Sequence, residues 1–176
     1  MSKYISLTAI GRDKPGIVSA ITKVLAEFRC NIEDSSMTIL HGQFTMILII
    51  CLPPGISRKD ISAKLNKSAK LLGMSLTVRE LESFSKKKKK KTAPYVISVY
   101  GKDRTGIVYG ISSFLASKNI NITDVQTTVS KKTYIMLIEA EFPKNILPAN
   151  LEKELGSFAK TLNVSVSLNR AESSDI

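Results

Sequence analysis

The chain repeats itself. GRDKPGIV at residues 11–18 returns as GKDRTGIV at residues 101–108, and the match runs without a gap from Tyr4–Pro53 onto Pro94–Pro143. Under that offset Leu25, Asn31, Ile32, Asp34 and Met46 fall on Leu115, Asn121, Ile122, Asp124 and Met136. A short match arises by chance, but a long ungapped one that keeps the same order of strand and helix patterns is a duplication. The chain must fold as two copies of one unit of about 80 residues, a size at which a core is thin and burial against a second unit matters.

Each copy reads strand, helix, strand, strand, helix, strand. Tyr4–Ile10 is β-branched and ends at Gly11; Pro15 suits a first helical turn, and Ile17, Val18, Ile21, Val24, Leu25 and Phe28 then recur at helical spacing. Asn31–Leu40 and Phe44–Leu52 are extended runs hinged at His41-Gly42. Ser57 is placed to cap a helix with Ile61, Leu65, Ala69 and Leu72 inward, Gly73 to stop it, and Met74–Leu81 to close the unit as a strand. The second copy follows with strands at Tyr95–Tyr100, Ile120–Ser130, Thr133–Phe142 and Val164–Leu168. Its helices carry Ile107, Ile111, Phe114 and Leu115, then PANLEKELGSFAKTL. This βαββαβ order predicts an α+β, ferredoxin-like fold: a four-stranded antiparallel sheet per unit, with both helices on one face. Phe44, Met46, Leu48 and Ile50 point one way along their strand while Ile47, Ile49 and Cys51 point the other. A strand apolar on both sides predicts cover on both sides, by the sister unit, another subunit or both.

The domains expected are 1–84, a lysine-rich linker at 85–93, and 94–176 with a short polar tail. Of the formal net charge of +11, Lys86 to Lys91 supply six. That run reads as a solvated tether; contact with nucleic acid or an acidic protein is the weaker expectation, and would show a log–log salt slope of roughly −4 to −5. Cys30 and Cys51 form no CxxC pair and read as reduced core residues of a cytoplasmic protein, and His41, the one histidine, as a turn residue. No apolar stretch is long enough to cross a bilayer, and no membrane partner is expected. No GxSxG, Walker loop, GxGxxG or carboxylate–histidine cluster occurs, so neither catalysis, nor a cofactor, nor a metal site is expected.

GRDKPGIV, with Asn31 fifteen residues beyond Gly16 in CNIED, resembles the ACT domain, a regulatory amino-acid-binding module; GKDRTGIV with Asn121 in INITD resembles another. Two such units in tandem, spanning nearly the whole chain, resemble the glycine cleavage system transcriptional repressor group. The resemblance implies a non-catalytic sensor of a free amino acid, glycine or another small one, that acts on a transcription regulator or metabolic enzyme by protein contact. It also implies sheets paired edge to edge with the ligand at the seam, and Ser35–Leu40 and Val125–Ser130 are the natural edges. A homo-oligomer is the expected state. Some members of the family carry a histidine five residues before the helix glycine; here Gly11 and Gly101 stand there.

The physical reading runs alongside. An amino acid presents a carboxylate and an ammonium close together. The carboxylate suits unpaired N–H groups at a helix start, where Gly16 and Gly106 let backbone approach, with Ile17 and Ile107 following. Asp13 and Asp103 can accept from the ammonium, Lys14 and Arg104 can add a carboxylate contact, and Asn31 and Asn121 can both donate and accept. The bland alternative has Asp13 capping the helix, Gly11 supplying a positive φ and Asn31 bonding its own backbone. A protein-interaction module with degenerate ligand sites is the main functional alternative. An RNA-recognition motif shares the strand order but needs stacking aromatics where FTMILIICL and TYIMLIEAEF place aliphatics.

Overall fold

The computed structural model describes residues 3–82, 95–130 and 133–170. The lysine tract and the polar tail lie outside the described residues. The chain divides into two compact units between Lys87 and Lys88. The first holds β1 (Lys3–Arg12), α1 (Ile17–Glu27), β2 (Asn31–Leu40), β3 (Gln43–Leu52), α2 (Arg58–Leu71) and β4 (Met74–Leu81). The second holds β5 (Tyr95–Lys102), α3 (Ile107–Ser117), β6 (Asn121–Ser130), β7 (Thr133–Glu141), α4 (Pro148–Thr161) and β8 (Val164–Arg170). The sheets are four-stranded and antiparallel, in the orders β2-β3-β1-β4 and β6-β7-β5-β8. This is the βαββαβ, α+β architecture that the hydrophobic patterns predict.

One face of each sheet makes the core. Ile5, Leu7 and Ala9 of β1 and Met46, Leu48 and Ile50 of β3 pack with Ile17, Ile21 and Leu25 of α1 and Ile61, Leu65 and Ala69 of α2. Both helices therefore cover the same face. The second unit repeats this with Ile97, Val99, Met136 and Ile138 under Ile107, Ile111, Leu115, Leu151, Leu155 and Ala159. On the other face of the first sheet Ile49 and Cys51 are half-buried, and Ile47 keeps 47% of its surface exposed.

The turns follow local chemistry. Leu40 pairs with Gln43, and His41 and Gly42, at φ 47° and 75°, form the two-residue connection between β2 and β3. Positive φ at both positions matches the twist of the flanking strands. His41 is thus a turn residue. Ser57 caps α2 by accepting from the Asp60 backbone N–H at 3.3 Å, and its hydroxyl donates to the Asp60 carboxylate at 2.5 Å. Ser57→Ala is expected to lower stability by about 1 kcal/mol, read as a lower urea midpoint at unchanged slope.

Three local expectations need correction. Pro15 lies in the turn before α1 rather than in its first turn, because the helix begins at Ile17 with Gly16 as its N-cap. No side chain caps α1, so Asp13 does not have that role. Gly11 is extended within β1, paired with Phe44 and Met74, and has no positive φ. Its reason for being glycine is space. A Cβ there would run into the Sδ of Met74 and sit 3.2 Å from the Gly73 carbonyl oxygen. At Gly101 a Cβ would lie 2.7 Å from Val164 Cγ1 and 3.2 Å from the Asn163 carbonyl oxygen.

Candidate functional site

The repeated loops have matching backbones. Gly16 stands at φ 95°, ψ −9° and Gly106 at φ 93°, ψ −8°, each the N-cap of its helix. The left-handed conformation is one that L side chains rarely adopt, which explains glycine at both positions. The carbonyls of Gly16 and Gly106 accept the first helical bonds, from Ala20 at 2.9 Å and Gly110 at 2.8 Å. Neither helix has a side-chain cap or an acid in its first turn. The first-turn N–H groups thus meet the positive end of the helix dipole with no carboxylate of the helix to answer it, an arrangement that suits an anion.

Asp13, Lys14 and Gly16 are exposed, as are Asp103, Arg104 and Gly106, while Ile17 and Ile107 turn into the cores. The Asp13 backbone N–H donates to the Gly42 carbonyl at 2.8 Å, which ties the first loop to the tip of the β2–β3 hairpin. In the second unit burial pushes the Tyr134 phenol above its ordinary value, and the Asp103 charge adds to that rise. The copies also differ beside the N-cap. Ser19 donates its hydroxyl to the Gly16 carbonyl at 3.0 Å, whereas Tyr109 in the same place is 77% exposed.

The asparagines lie elsewhere. Asn31 pairs with Cys51, which faces Tyr4 near the start of β1, while the loop follows Arg12 at the other end of that strand. Eight residues of strand separate the two levels, about 27 Å. Asn121, paired with Glu141, is displaced in the same way. A single unit brings Asp13, Lys14 and Gly16 together, and likewise Asp103, Arg104 and Gly106, but not the asparagine with either set. The Asn31 Nδ2 donates to Glu33 at 2.9 Å, beside the register shift between Ile32 and Asp34.

A cleft of about 510 Å³ opens at the asparagine end of the first unit, lined by Lys3, Leu52 and residues 53–57, with none of the candidate residues in its wall. Among the described residues no cluster of His, Cys, Asp and Glu is placed to hold a metal, and no helix is long and apolar enough to cross a membrane. Burial, with a smaller contribution from Cys51, raises the Cys30 thiol above its ordinary value. That keeps it protonated, and so less nucleophilic, near neutral pH.

Two βαββαβ units, each with a glycine-hinged, uncapped helix start, make this a tandem ferredoxin-like repeat protein. The ACT domain pattern matches residues 3–79 and again 94–169, and the chain belongs to the ACT domain family. A UPF0237 protein of Clostridium acetobutylicum is 36% identical over 75 residues, 42% of this chain and 84% of its own length. The glycine cleavage system transcriptional repressor of Escherichia coli is 45% identical over 47 residues, 27% of this chain and 25% of the repressor. The match thus spans a quarter of that relative. A solved structure assigned as a glycine cleavage system transcriptional repressor superposes with a TM-score of 0.70 at 21% identity, covering 98% of this chain and 99% of that one. That likeness extends the shared fold over both units.

Proposed function

We infer that this chain is a non-catalytic regulatory protein that binds a free amino acid at its two glycine-hinged helix starts and acts through contact with a transcription regulator or metabolic enzyme. The observation that carries the reading is the paired, uncapped N-terminus of α1 and α3 behind Gly16 and Gly106. Membership in the ACT family supports it, as does similarity to a protein named for repression of the glycine cleavage system. First-turn amides take the carboxylate, Asp13 or Asp103 takes the ammonium, and Lys14 or Arg104 adds a cation beside the carboxylate.

A second copy of the chain would bring the asparagine that a single unit leaves too far from its loop. β2 and β6 are edge strands of ten residues each, without proline, and they expose Met37, Ile39, Leu40, Val125 and Val129. Such an edge invites another strand. Antiparallel pairing of two of them sets the first residue of one beside the last of the other, and so carries an asparagine to the loop end of its neighbour. Ligand held between two copies of the chain then biases their association, which a partner protein reads.

A thermal melt against the twenty amino acids tests the reading. A ligand at a hundred times its dissociation constant adds about 2.7 kcal/mol of stability. Asp13→Ala with Asp103→Ala is expected to abolish that gain; a full response in the double variant would place the ligand elsewhere. Ile39→Lys with Val129→Lys, both on exposed edge positions, is expected to remove the gain, with circular dichroism of the unliganded variant verifying that the units still fold. Silence across the whole panel would favour the second reading, a protein-interaction module with degenerate ligand sites, for which the same exposed edges speak.

A further inference from the structure

The second helices of the two units are copies in position but not in charge. α2 carries Arg58, Lys59, Lys64, Lys67 and Lys70 against Asp60, whereas α4 carries Lys153 and Lys160 against Glu152 and Glu154. Under the repeat offset Lys59 corresponds to Ala149 and Lys67 to Ser157. The sister helix builds the same contacts to its sheet and core without those cations, so the fold does not require them.

Two of the α2 cations already have partners. Lys64 pairs with Glu27 and lies 5.8 Å from the centre of the Phe28 ring. In the second unit Glu154, at the position of Lys64, pairs with Lys118, at the position of Phe28. The Arg58 guanidinium donates to the Val78 carbonyl at 3.4 Å. Lys59, Lys67 and Lys70 are exposed, and no carboxylate among the described residues forms an ion pair with them. At 100° per residue, Lys59 and Lys70 fall within about 20° of one line of the helix and Lys67 about 60–80° to its side. Exposed Ala63 and Asn66 lie between. The stripe is about 16 Å long.

We propose that this stripe of α2 docks the phosphate backbone of duplex nucleic acid. One strand of a duplex carries a phosphate for every ~3.4 Å of axis, so three cations spread over about 16 Å have a phosphate within reach of each. The cores of protein interfaces are depleted in lysine and built around apolar or aromatic anchors. Here the stripe itself offers only Ala63 between its cations, and the one large apolar residue nearby, Leu71, sits 81% exposed at the helix end. A uniform polyanion fits better than a protein surface. The contact reads charge and not sequence, and it uses none of the residues proposed above for the amino acid.

The test uses the full chain with Lys86–Lys91 intact and a random-sequence 20-base-pair DNA duplex labelled for fluorescence anisotropy. Binding of the unaltered protein and of a Lys59→Ala, Lys67→Ser, Lys70→Gln variant is followed from 50 to 200 mM salt. The first two changes install the residues of the sister helix, so the variant is expected to fold, and its melt verifies this. Loss of three phosphate contacts flattens the log–log salt slope by about 2.7 and weakens binding at the lowest salt. An unchanged slope would assign the binding to cations other than these, and no binding to duplex would remove the proposal outright. Polyglutamate held by the same three lysines while duplex is not would overturn it in favour of an acidic protein. None of these results depends on whether an amino acid binds.

Discussion

Leu48→Ala is expected to remove about 2–5 kcal/mol of stability from the first unit. Leu48 lies at the centre of β3, fully buried, with Leu7 of β1 on one side and Ser35 of β2 on the other. Truncation leaves a cavity bounded by a hydrogen-bonded sheet below and two helices above, none of which can collapse into it freely. A unit of about 80 residues has a thin core, so the loss is a large share of its total stability. Chemical denaturation followed by tryptophan is closed to this chain, which has no tryptophan, so circular dichroism against urea is the suitable reading. A midpoint within error of the unaltered protein would mean that this core is not the one described.

Alanine at Gly101 is expected to cost about 1–3 kcal/mol, and alanine at Gly11 less. Both glycines sit in an inner strand of their sheets against the first residue of the last strand. The obstacles differ. The Sδ of Met74 lies near the end of a flexible side chain that can swing away, whereas Val164 is β-branched and has few rotamers to choose from. Val164→Ala in the Gly101→Ala background is expected to recover part of the loss; no recovery would shift the blame to the Asn163 carbonyl. The same crowding bears on function. A histidine of the kind some ACT domains carry here would meet Met74 or Val164 before it reached a ligand. Gly11→His is therefore expected to lower stability without creating or strengthening an amino-acid response.

The architecture was legible because its signals are local and doubled. Hydrophobic spacing separates helix from strand, Ser57 and His41-Gly42 mark boundaries through their own backbone chemistry, and the repeat lets each unit check the other. What escaped the sequence was contact at a distance. Gly11 and Gly101 look like turn glycines in a one-dimensional reading, and only the strand that arrives sixty-odd residues later shows that they make room. The distance from loop to asparagine was hidden for a related reason. Chain separation says that Asn31 starts a strand, but its level follows from the strand–helix–strand crossover, which returns the chain to the end where β1 began. The charge of α2 was visible residue by residue. It became a surface only once the helix fixed which lysines are already paired.

The most direct test of the amino-acid site is a backbone amide NMR titration of the full chain with each of the twenty amino acids. The reading predicts that at least one of them shifts the amides of Ile17, Val18 and Ser19, or those of Ile107, Val108 and Tyr109, together with the side-chain amide of Asn31 or Asn121. Shifts confined to other parts of either unit, or an unmoved spectrum at millimolar concentrations of every amino acid, would contradict it.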